Sequence, residues 1–491
     1  MNNDQHILLI RAGYAQRKKI DHPLHCPPPL ALKYAQALLE QNSHLGVRIL
    51  DCLITPIPEK DILDIIAQWP VQTVCVEIAS PASERGIALC KSIREKYNDL
   101  LIIAAGSDVS ERYQFYSTAN NIFDVILRGE FEIELSRLIN RIQEGEKINI
   151  VKQHYAATLN QDVWLIPNLD ELPFLNWTQE DLKSYPYRYP LRLSKKILPG
   201  YISTSRGCRH GCSFCSPSVR KSYGKKLRLR SAGGVIEEIE RMQKLGVNII
   251  SFEDDDFTGN PEHARSICTE LRKKRLNINW TCHARIDEVS PELLHDMKQA
   301  GCILILFGVE SGSQRIIRLL HKSAAGSDWN SQAQETFRSA RAAGIATCAL
   351  FMVGNPRETL ADVDESIGLA FQLQPDFIKV HNFTLYPGSQ DYKHYGTTSK
   401  PSTAPHHYLQ PIINVSRLTD RELKILQKKF YRQFFFRPAF LYNHIQHYSL
   451  FYVFNWTWSF RMIGELLCFL LSQERSRSGQ TKPDKTVNTF I

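Results

Sequence analysis

Three cysteines close together constrain this 491-residue chain more than any other feature. Cys208, Cys212 and Cys215 have the spacing C-x3-C-x2-C, which offers three thiolates and no fourth. A structural zinc ion takes four ligands, and a cubane iron–sulfur cluster is normally held by four thiolates. On a cubane cluster, three thiolates leave one iron free to bind another molecule. The alternatives are a zinc knuckle and buried thiols without any ligand.

Length and composition predict two or three domains in a reducing compartment. The chain has twelve cysteines, and outside the trio they are scattered singly, so we expect no disulfide framework. Its first residues lack the basic and long apolar stretches of a signal peptide, and we expect a cytoplasmic protein. The net charge of +9 is mild, and no basic run is interleaved with aromatics. We therefore expect no nucleic-acid partner.

Residues 1–150 alternate short apolar runs with helical patterns. The runs lack polar alternation, which is typical of parallel strands buried on both faces. We predict strands at His6–Arg11, Val47–Asp51, Thr73–Ile78, Leu100–Ala105 and Phe123–Leu127, and helices at Leu30–Gln41, Ser83–Tyr97 and Glu130–Arg141. The pattern indicates a doubly wound, Rossmann-like α/β domain, in which ligands bind at the carboxyl ends of the strands.

The same alternation returns over residues 196–390. We interpret residues 151–195, rich in proline and aromatics, as a linker. Its tyrosines and arginines are expected to pack on the surface, and contact with a cofactor or substrate is the alternative. We predict strands at Tyr201–Thr204, Asn248–Phe252, Ile278–His283, Cys302–Phe307, Thr347–Val353 and Phe377–Phe383, and helices at Ala232–Lys244, Pro261–Lys274, Pro291–Ala300 and Leu360–Leu373. The cysteine loop follows the first of these strands, at the end where parallel barrels carry their chemistry.

The cysteine spacing and the turns that follow the later strands resemble the radical S-adenosylmethionine (SAM) superfamily. The turns are Phe252-Glu-Asp-Asp-Asp-Phe257, Phe307-Gly-Val-Glu-Ser-Gly-Ser313 and Phe351-Met-Val-Gly-Asn-Pro-Arg-Glu-Thr359. The resemblance implies a partial (β/α)6 barrel in which Cys208, Cys212 and Cys215 hold a [4Fe–4S] cluster. One electron then cleaves SAM at the free iron to a 5′-deoxyadenosyl radical. It also implies a small-molecule substrate and an external electron donor of the flavodoxin or ferredoxin type.

The resemblance assigns further residues to SAM. Phe214, just before the third cysteine, would pack near the adenine. Glu310 would contact SAM, and the turn at Gly354 would pack along the adenine, with its glycine and proline setting the shape. For Glu358 a structural role is also possible. Thr359 can cap the next helix, and an acidic residue is favoured at the start of a helix.

An acidic cluster and an arginine complete the predicted site. Asp254 and Asp255 match the acidic pair of the family best and would accept hydrogen bonds from the ammonium or ribose of SAM, with Glu253 as a substitute. A solvated acidic turn is the alternative. Arg285 follows the third strand and could hold a carboxylate of SAM or of the substrate. Its neighbours Cys282 and His283 are expected to be packing residues.

The N-terminal domain resembles the cobalamin-binding domain that precedes the radical domain in one large subgroup. Its signatures include the loops of Ser80, Gly106 and Gly129, which we expect to contact cobalamin. The D-x-H-x-x-G motif that supplies a histidine to cobalt is absent, and the surroundings of His22 and His25 do not match it. Members of the subgroup often lack this motif and still bind cobalamin. The alternative is a Rossmann-like domain that binds nothing.

Beyond residue 391 the β/α pattern stops and a C-terminal helical segment, 391–472, is predicted. Asp420–Arg437 is helical in pattern. Leu450–Leu471 is apolar but interrupted by charges, which argues against a transmembrane helix and favours a helix covering the barrel. Peripheral membrane contact through this segment is the other interpretation. The polar tail, 473–491, is expected to be disordered.

The domain order resembles cobalamin-dependent radical SAM methylases. It implies methylation of an unactivated carbon of a small-molecule, natural-product or lipid-like substrate, with cobalamin carrying the methyl group of a second SAM. Two other functions stay open from the sequence. One is a radical cyclisation or rearrangement without methyl transfer, and the other is a non-enzymatic metal- or cobalamin-binding regulator.

Overall fold

A computed structural model describes most of the chain and shows an N-terminal α/β domain, a partial barrel and a C-terminal helical segment. The described residues are 6–13, 26–42, 45–119, 121–159, 163–185, 187, 189, 191, 196–215, 224–324, 326–396, 413–454 and 464. The predicted α/β fold class is confirmed in both domains. His22, His25, the tail 473–491 and all but residues 450–454 and 464 of the predicted C-terminal helix lie outside the described residues.

The N-terminal domain is a parallel sheet with helices on both faces. Its elements are β1 (His6–Arg11), α1 (Leu30–Asn42), β2 (Gly46–Asp51), α2 (Glu59–Gln68), β3 (Val71–Glu77), α3 (Ser83–Lys96), β4 (Leu101–Ala105), α4 (Ser107–Glu111), α5 (Tyr113–Ser117), β5 (Val125–Ile126), α6 (Glu132–Gln143) and α7 (Ile148–Thr158). The strand order is β2-β1-β3-β4-β5. This doubly wound order reverses direction between β1 and β3, where such sheets form their ligand crevice.

The segment predicted as a linker begins as part of this domain. Residues 151–158 continue α7, which buries Val151 and Tyr155 against the sheet. The Tyr155 hydroxyl donates a hydrogen bond of 2.7 Å to Glu134 on α6. The helix was not predicted because its apolar residues show no clear helical period. Beyond it, the described part of the connection contains a short 3-10 helix at Leu169–Glu171 and the helix α8 (Gln179–Ser184).

The second domain is a six-stranded parallel sheet, curved into a partial barrel. Its elements are β6 (Pro199–Ile202), β7 (Ser205–Arg206), β8 (Arg228–Leu229), α9 (Ala232–Lys244), β9 (Ile249–Phe252), α10 (Pro261–Lys273), β10 (Asn279–Ala284), α11 (Pro291–Gln299), β11 (Cys302–Glu310), α12 (Gln314–Leu319), α13 (Trp329–Ala342), β12 (Ala346–Val353), α14 (Leu360–Leu373), β13 (Phe377–Asn382) and α15 (Gln390–Tyr395). The sheet order is β6-β9-β10-β11-β12-β13, with β7 and β8 paired separately and antiparallel.

Alternation along the barrel strands separates an outer from an inner face. Outward residues such as Trp280, Cys282 and Phe307 join one large core with the surrounding helices. Inward residues such as Leu304 and Cys348 belong to a separate cluster. The barrel helices start where the sequence provides caps, because a side-chain oxygen accepts a backbone N–H at each start. These N-cap residues are Ser231, Asn260, Ser290, Asp328 and Thr359.

Two C-terminal helices, α16 (Asp420–Phe435) and α17 (Pro438–Phe454), complete the described fold. The helix predicted at Asp420–Arg437 is confirmed as α16, which buries Leu423 and Phe430 against the barrel. On α17, the Tyr448 hydroxyl donates to Asp376 at 2.8 Å. Among the described helices, none combines the length and apolar character that spanning a membrane requires.

A buried ion-pair cluster joins the two domains. Strands β7 and β8 pair Arg206 with Arg228, and both guanidiniums reach into the N-terminal domain. Arg228 Nη1 lies 2.8 Å from Glu130, and Arg206 Nη2 lies 2.7 Å from Glu132. Glu130 also accepts the backbone N–H of Ile166 at 2.6 Å. Both glutamates are fully buried, so their charges depend on these arginines.

We predict that Glu130→Gln destabilises the protein by about 3–5 kcal/mol, because removing one partner leaves buried guanidiniums uncompensated. The matched control is Glu237→Gln, which breaks an exposed i,i+4 pair with Arg241 and costs about 0.5 kcal/mol or less. The shift of the urea unfolding midpoint measures the loss of stability in each of the two variants. Equal shifts for the two variants would contradict a dependence of the fold on the domain interface.

Candidate active site

The cysteine trio lies on the loop that the β7–β8 pair closes, at the carboxyl end of the barrel strands. Cys208, Cys212 and Cys215 are free thiols, and each is partly exposed. Among the described residues, one group has metal-ligating atoms within 4.8 Å of one another, and it contains no cysteine. The members of that group are His210, Asp256 and Glu288.

Two cations lie beside the middle cysteine. Arg285 Nη1 lies 3.5 Å from the Sγ atom of Cys212, and the charge of Lys322 acts on the same sulfur. Arg285 is held by Asp287 at 2.8–2.9 Å and by the carbonyl of Lys322 at 2.6 Å. The positive charges of Arg285 and Lys322 therefore both lie near the sulfur of Cys212. Contact of Arg285 with a carboxylate of SAM or of the substrate stays a prediction.

The thiols depend on a metal for deprotonation. Burial raises the pKa of Cys208 to about 11 and raises that of Cys215 further still. Neither thiol ionises at neutral pH without a metal, and metal binding at this loop must release protons.

Glu288, in the loop after β10, fastens the stretch between the first two cysteines. Its Oε1 atom accepts a hydrogen bond from Arg209 Nε at 3.0 Å and lies 2.7 Å from His210 Nε2. Asp256 lies beside the same carboxyl, and burial together with a hydrogen bond to Glu288 raises its pKa to about 8. Burial alone would raise the pKa of Glu288, but hydrogen bonds from His210, Asp256 and Arg209 lower it. Nothing in the local sequence marks Glu288, which lies far from the cysteines along the chain.

The predicted acidic pair divides into two roles. Asp254 is buried, and its Oδ1 atom accepts hydrogen bonds from the Thr204 backbone, the Thr204 hydroxyl and the Ser205 hydroxyl at 2.6–3.1 Å. It therefore braces the chain leading to the cysteines. Asp255, by contrast, is exposed to solvent. Asp255 is the member that faces open space.

Phe214 and its neighbour anchor the end of the cysteine loop. The Phe214 ring packs on a cluster that contains Ile316 and Phe383, on the inward side of the loop. The Ser213 hydroxyl donates to Asp391 Oδ2 at 2.9 Å, and its N–H donates to the carbonyl of Leu320 at 3.0 Å. Residues 204–215 are thus held at both ends and in the middle.

Glu310 ends β11 in a left-handed conformation, with φ of 67°. Its carboxylate pairs with Lys322 Nζ at 2.8 Å. A Cβ atom on Gly308 would lie 2.6 Å from Glu310 Oε1, so a larger residue there would displace the end of this carboxylate. A non-glycine residue at positive φ is strained, and such strain clusters at functional sites. The Gly308–Glu310 motif therefore builds a fixed carboxylate beside the cysteine loop.

The turn at Gly354 is held by Glu358. The backbone N–H groups of Gly354 and Asn355 donate to Glu358 Oε2 at 2.5 and 3.1 Å, and the Asn355 amide donates to Oε1 at 2.7 Å. Gly354 has φ of 84°, which favours glycine. Thr359 caps α14, as expected. Glu358 is structural here because it closes the turn.

The predicted ligand loops of the N-terminal domain meet at the carboxyl edge of its sheet. Ser80 is buried in a short turn after β3. Gly106 follows β4 with φ of 109°, and a Cβ atom there would lie 2.7 Å from the carbonyl of Ile78. The Ser110 hydroxyl donates to the carbonyl of Gly106 and accepts the N–H of Gly129, both at 2.8 Å. Gly129 also packs on the connection between the domains, because a Cβ atom would meet its backbone.

Comparison with known proteins identifies the barrel. Residues 202–370 match the Radical SAM superfamily. The barrel is therefore a radical SAM domain, and its three cysteines are suited to the [4Fe–4S] cluster that such a domain implies together with SAM.

Similarity extends over both domains. An uncharacterized methyltransferase of Pyrococcus horikoshii is 25% identical over 427 residues, covering 85% of this chain and 90% of the relative. The anaerobic magnesium-protoporphyrin IX monomethyl ester cyclase of Rubrivivax gelatinosus is 24% identical over 84% of this chain and 75% of its own. The radical SAM methyltransferase TsrM of Kitasatospora setae, solved with cobalamin and a [4Fe–4S] cluster, superposes with a TM-score of 0.62. It covers 83% of this chain and 79% of its own at 15% identity, so it shows a shared fold.

We predict that Glu288→Ala lowers the iron retained per chain after anaerobic reconstitution, because Arg209 and His210 lose their shared acceptor. The lost hydrogen bonds to a charged group correspond to about 2–3 kcal/mol. Glu288→Gln keeps one acceptor oxygen, so its retained iron should lie between that of Glu288→Ala and that of the wild type. Glu335→Gln, on an exposed pair with Arg338, is the control. The measurements are the iron content and the electron paramagnetic resonance signal of the reduced cluster. Wild-type values of both in Glu288→Ala would contradict a role of Glu288 in holding the cysteine loop.

A pH dependence follows from Glu358. Burial raises its pKa from the ordinary 4.5 to about 7, so the folded protein binds a proton that the unfolded chain has lost. The contribution of this group to stability is fully present below pH 4.5 and is lost as pH rises through 7, by up to about 3 kcal/mol. Relative to Glu358→Gln, wild-type protein should lose thermal stability between pH 5 and 8. A difference in melting temperature that stays constant across this range would refute the assignment.

Proposed function

We propose that this enzyme is a cobalamin-dependent radical SAM methyltransferase that methylates an unactivated carbon of a small molecule. One observation carries the proposal. Glu130 and Glu132 of the N-terminal domain form ion pairs with Arg228 and Arg206, which flank the cysteine loop. The domain that would hold cobalamin is thereby fixed beside the site of SAM cleavage. Similarity to a methyltransferase over both domains supports the same function.

Cys208, Cys212 and Cys215 would hold the cluster, and the chemistry supplied there is one-electron reduction of SAM. The side chains of Asp255 and Glu310 supply carboxylates near the loop and suit the ammonium or hydroxyls of SAM. The reducing electron would come from an external donor of the flavodoxin or ferredoxin type.

We place cobalamin in the crevice between β1 and β3, where doubly wound sheets bind their ligands. Glu77 ends β3 there, and its Oε2 atom is buried with no hydrogen-bond partner among the described residues. Such an atom fits a ligand that carries hydrogen-bond donors, as the amide groups of cobalamin do. Ser80, Gly106 and Gly129 lie on the neighbouring loops. Together these residues would hold cobalamin, which supplies methyl transfer when bound.

The test is anaerobic incubation of the reconstituted enzyme with cobalamin, methyl-labelled SAM, a reductant and a low-molecular-mass extract of the source cells. We expect one 5′-deoxyadenosine and one S-adenosylhomocysteine for each labelled product molecule. Cys212→Ala should form no 5′-deoxyadenosine, because the cluster loses a ligand. Labelled product without 5′-deoxyadenosine would exclude the radical mechanism.

A second candidate, radical cyclisation or rearrangement, is favoured by similarity to the Rubrivivax cyclase over most of both chains. It uses the same cysteines and needs no methyl donor. In the same incubation it would give 5′-deoxyadenosine without S-adenosylhomocysteine, so the two candidates separate on one measurement.

Peripheral membrane contact through the C-terminal segment is also proposed. On α17, Leu441, Tyr442, Ile445 and Val453 are exposed apolar residues. Such a face suits a lipid-like substrate delivered from a membrane surface. Sedimentation of the full chain with anionic lipid vesicles measures this contact. Cytoplasmic location remains a prediction.

A further inference from the structure

A group of three metal-ligating side chains lies beside the cysteine loop. His210 is located between the first two cysteines, Asp256 in the turn after β9 and Glu288 in the loop after β10, and one ligand atom of each lies within 4.8 Å of the others. His210 Nε2 lies 2.7 Å from Glu288 Oε1 and 3.9 Å from Asp256 Oδ2. Atoms that bind one metal ion at about 2.0–2.2 Å lie about 3–4 Å apart. The three side chains are therefore close enough to share an ion.

Two carboxylate oxygens of this group are buried and accept no hydrogen bond within the described part of the chain. They are Asp256 Oδ2 and Glu288 Oε2. The Asp256 side chain is 6% exposed and the Glu288 side chain is 4% exposed. Ionised carboxylates only accept hydrogen bonds, so neither of the two can satisfy the other. Because unsatisfied buried oxygens are costly, the pair requires either a shared proton or a bound cation.

The charges around the group are compatible with a cation. Arg209 is the ion-pair partner of Glu288, and its side chain is 57% exposed. Arg285 forms its own ion pair with Asp287, and its charge acts on Asp256. Among the described lysines and arginines, none forms an ion pair with Asp256 within 4 Å; its neighbour at 3.9 Å is His210. The two carboxylates therefore share one directly bound guanidinium.

The ligand atoms are also oriented and accessible. Asp256 Oδ1 accepts hydrogen bonds from the N–H and the hydroxyl of Thr258 at 3.3 and 3.0 Å, which leaves Oδ2 directed toward His210. Hydrogen bonds of this kind commonly hold the carboxylates that bind metals. The His210 side chain is 22% exposed, so an ion can reach the group from solvent.

We propose that His210, Asp256 and Glu288 bind one divalent transition-metal ion, of manganese, iron or zinc, at a site separate from the [4Fe–4S] cluster. One imidazole and two carboxylates suit these ions. The ion would replace the hydrogen bond between His210 and Glu288 and would tie the stretch between the first two cysteines to the turns after β9 and β10. It requires neither cobalamin nor methyl transfer. The competing explanation is a proton shared by the two carboxyl groups.

Manganese binding tests the site in the cluster-loaded enzyme. The protein is titrated anaerobically with manganese(II) chloride, without SAM or reductant, and the electron paramagnetic resonance signal of free Mn²⁺ measures the unbound ion. Mn²⁺ prefers carboxylates, whereas thiolates select softer ions, so the cysteines do not compete for it. We expect one Mn²⁺ bound per chain and its release by Zn²⁺. Absence of stoichiometric binding would overturn the proposal and leave the shared proton as the explanation.

A variant assigns the bound ion to this group. Asp256→Asn removes one charged ligand and keeps an acceptor for Thr258, so it should bind Mn²⁺ at least about tenfold more weakly. The matched control is Glu292→Gln, which removes an exposed carboxylate four residues beyond Glu288 and should bind like the wild type. Acid-labile sulfide counts the cluster without counting a single metal ion, and it verifies equal cluster loading. Wild-type affinity in Asp256→Asn would refute the assignment.

X-ray absorption at the zinc edge identifies the ligands in the wild type. The zinc-loaded enzyme should show nitrogen and oxygen ligands at about 2.0–2.2 Å, including an imidazole, and no sulfur at about 2.3 Å. A sulfur ligand would mean that zinc occupies the cysteines, and the proposal would fail. This measurement decides the proposal even if Asp256→Asn folds poorly. Neither SAM nor substrate is used, so failure of the proposed function leaves these results intact.

Discussion

The site depends on two buried glutamates that hold two arginines. Glu130 and Glu132 belong to the N-terminal domain, whereas Arg206 and Arg228 form the base of the cysteine loop in the barrel. Charges as buried as these are stable only in each other's presence. The loop that presents the thiols is therefore complete only when both domains are folded and docked. This interface fixes the position of the chemistry and the position of the N-terminal crevice at once.

The rest of the loop is fixed by groups from successive barrel strands. Asp254 holds its entry, Glu288 its middle and Ser213 its exit, while Arg285 places a positive charge beside Cys212. Together these contacts hold the described part of the loop, residues 207–215, against the barrel.

Much of this architecture is readable from the sequence, because its signals are local. Apolar runs of strand length and well-capped helices identify both sheets, and the cysteine spacing lies within one loop. Glu288 and Glu130 could not be assigned, because their partners lie about 80 to 100 residues away and no local pattern marks them. The contact of Arg285 with Cys212 could not be predicted, because the two residues are 73 positions apart. The burial of Tyr187 and Tyr189 inside the barrel could not be predicted either, because they belong to a segment without periodicity.

The tyrosines of the connection have a consequence for access to the barrel. Tyr187 and Tyr189 are buried against inward residues of the strands, such as Ile249 and Leu304. They close part of the inner face at the end of the strands opposite the cysteines. The segment that joins the domains therefore also shapes the interior of the barrel.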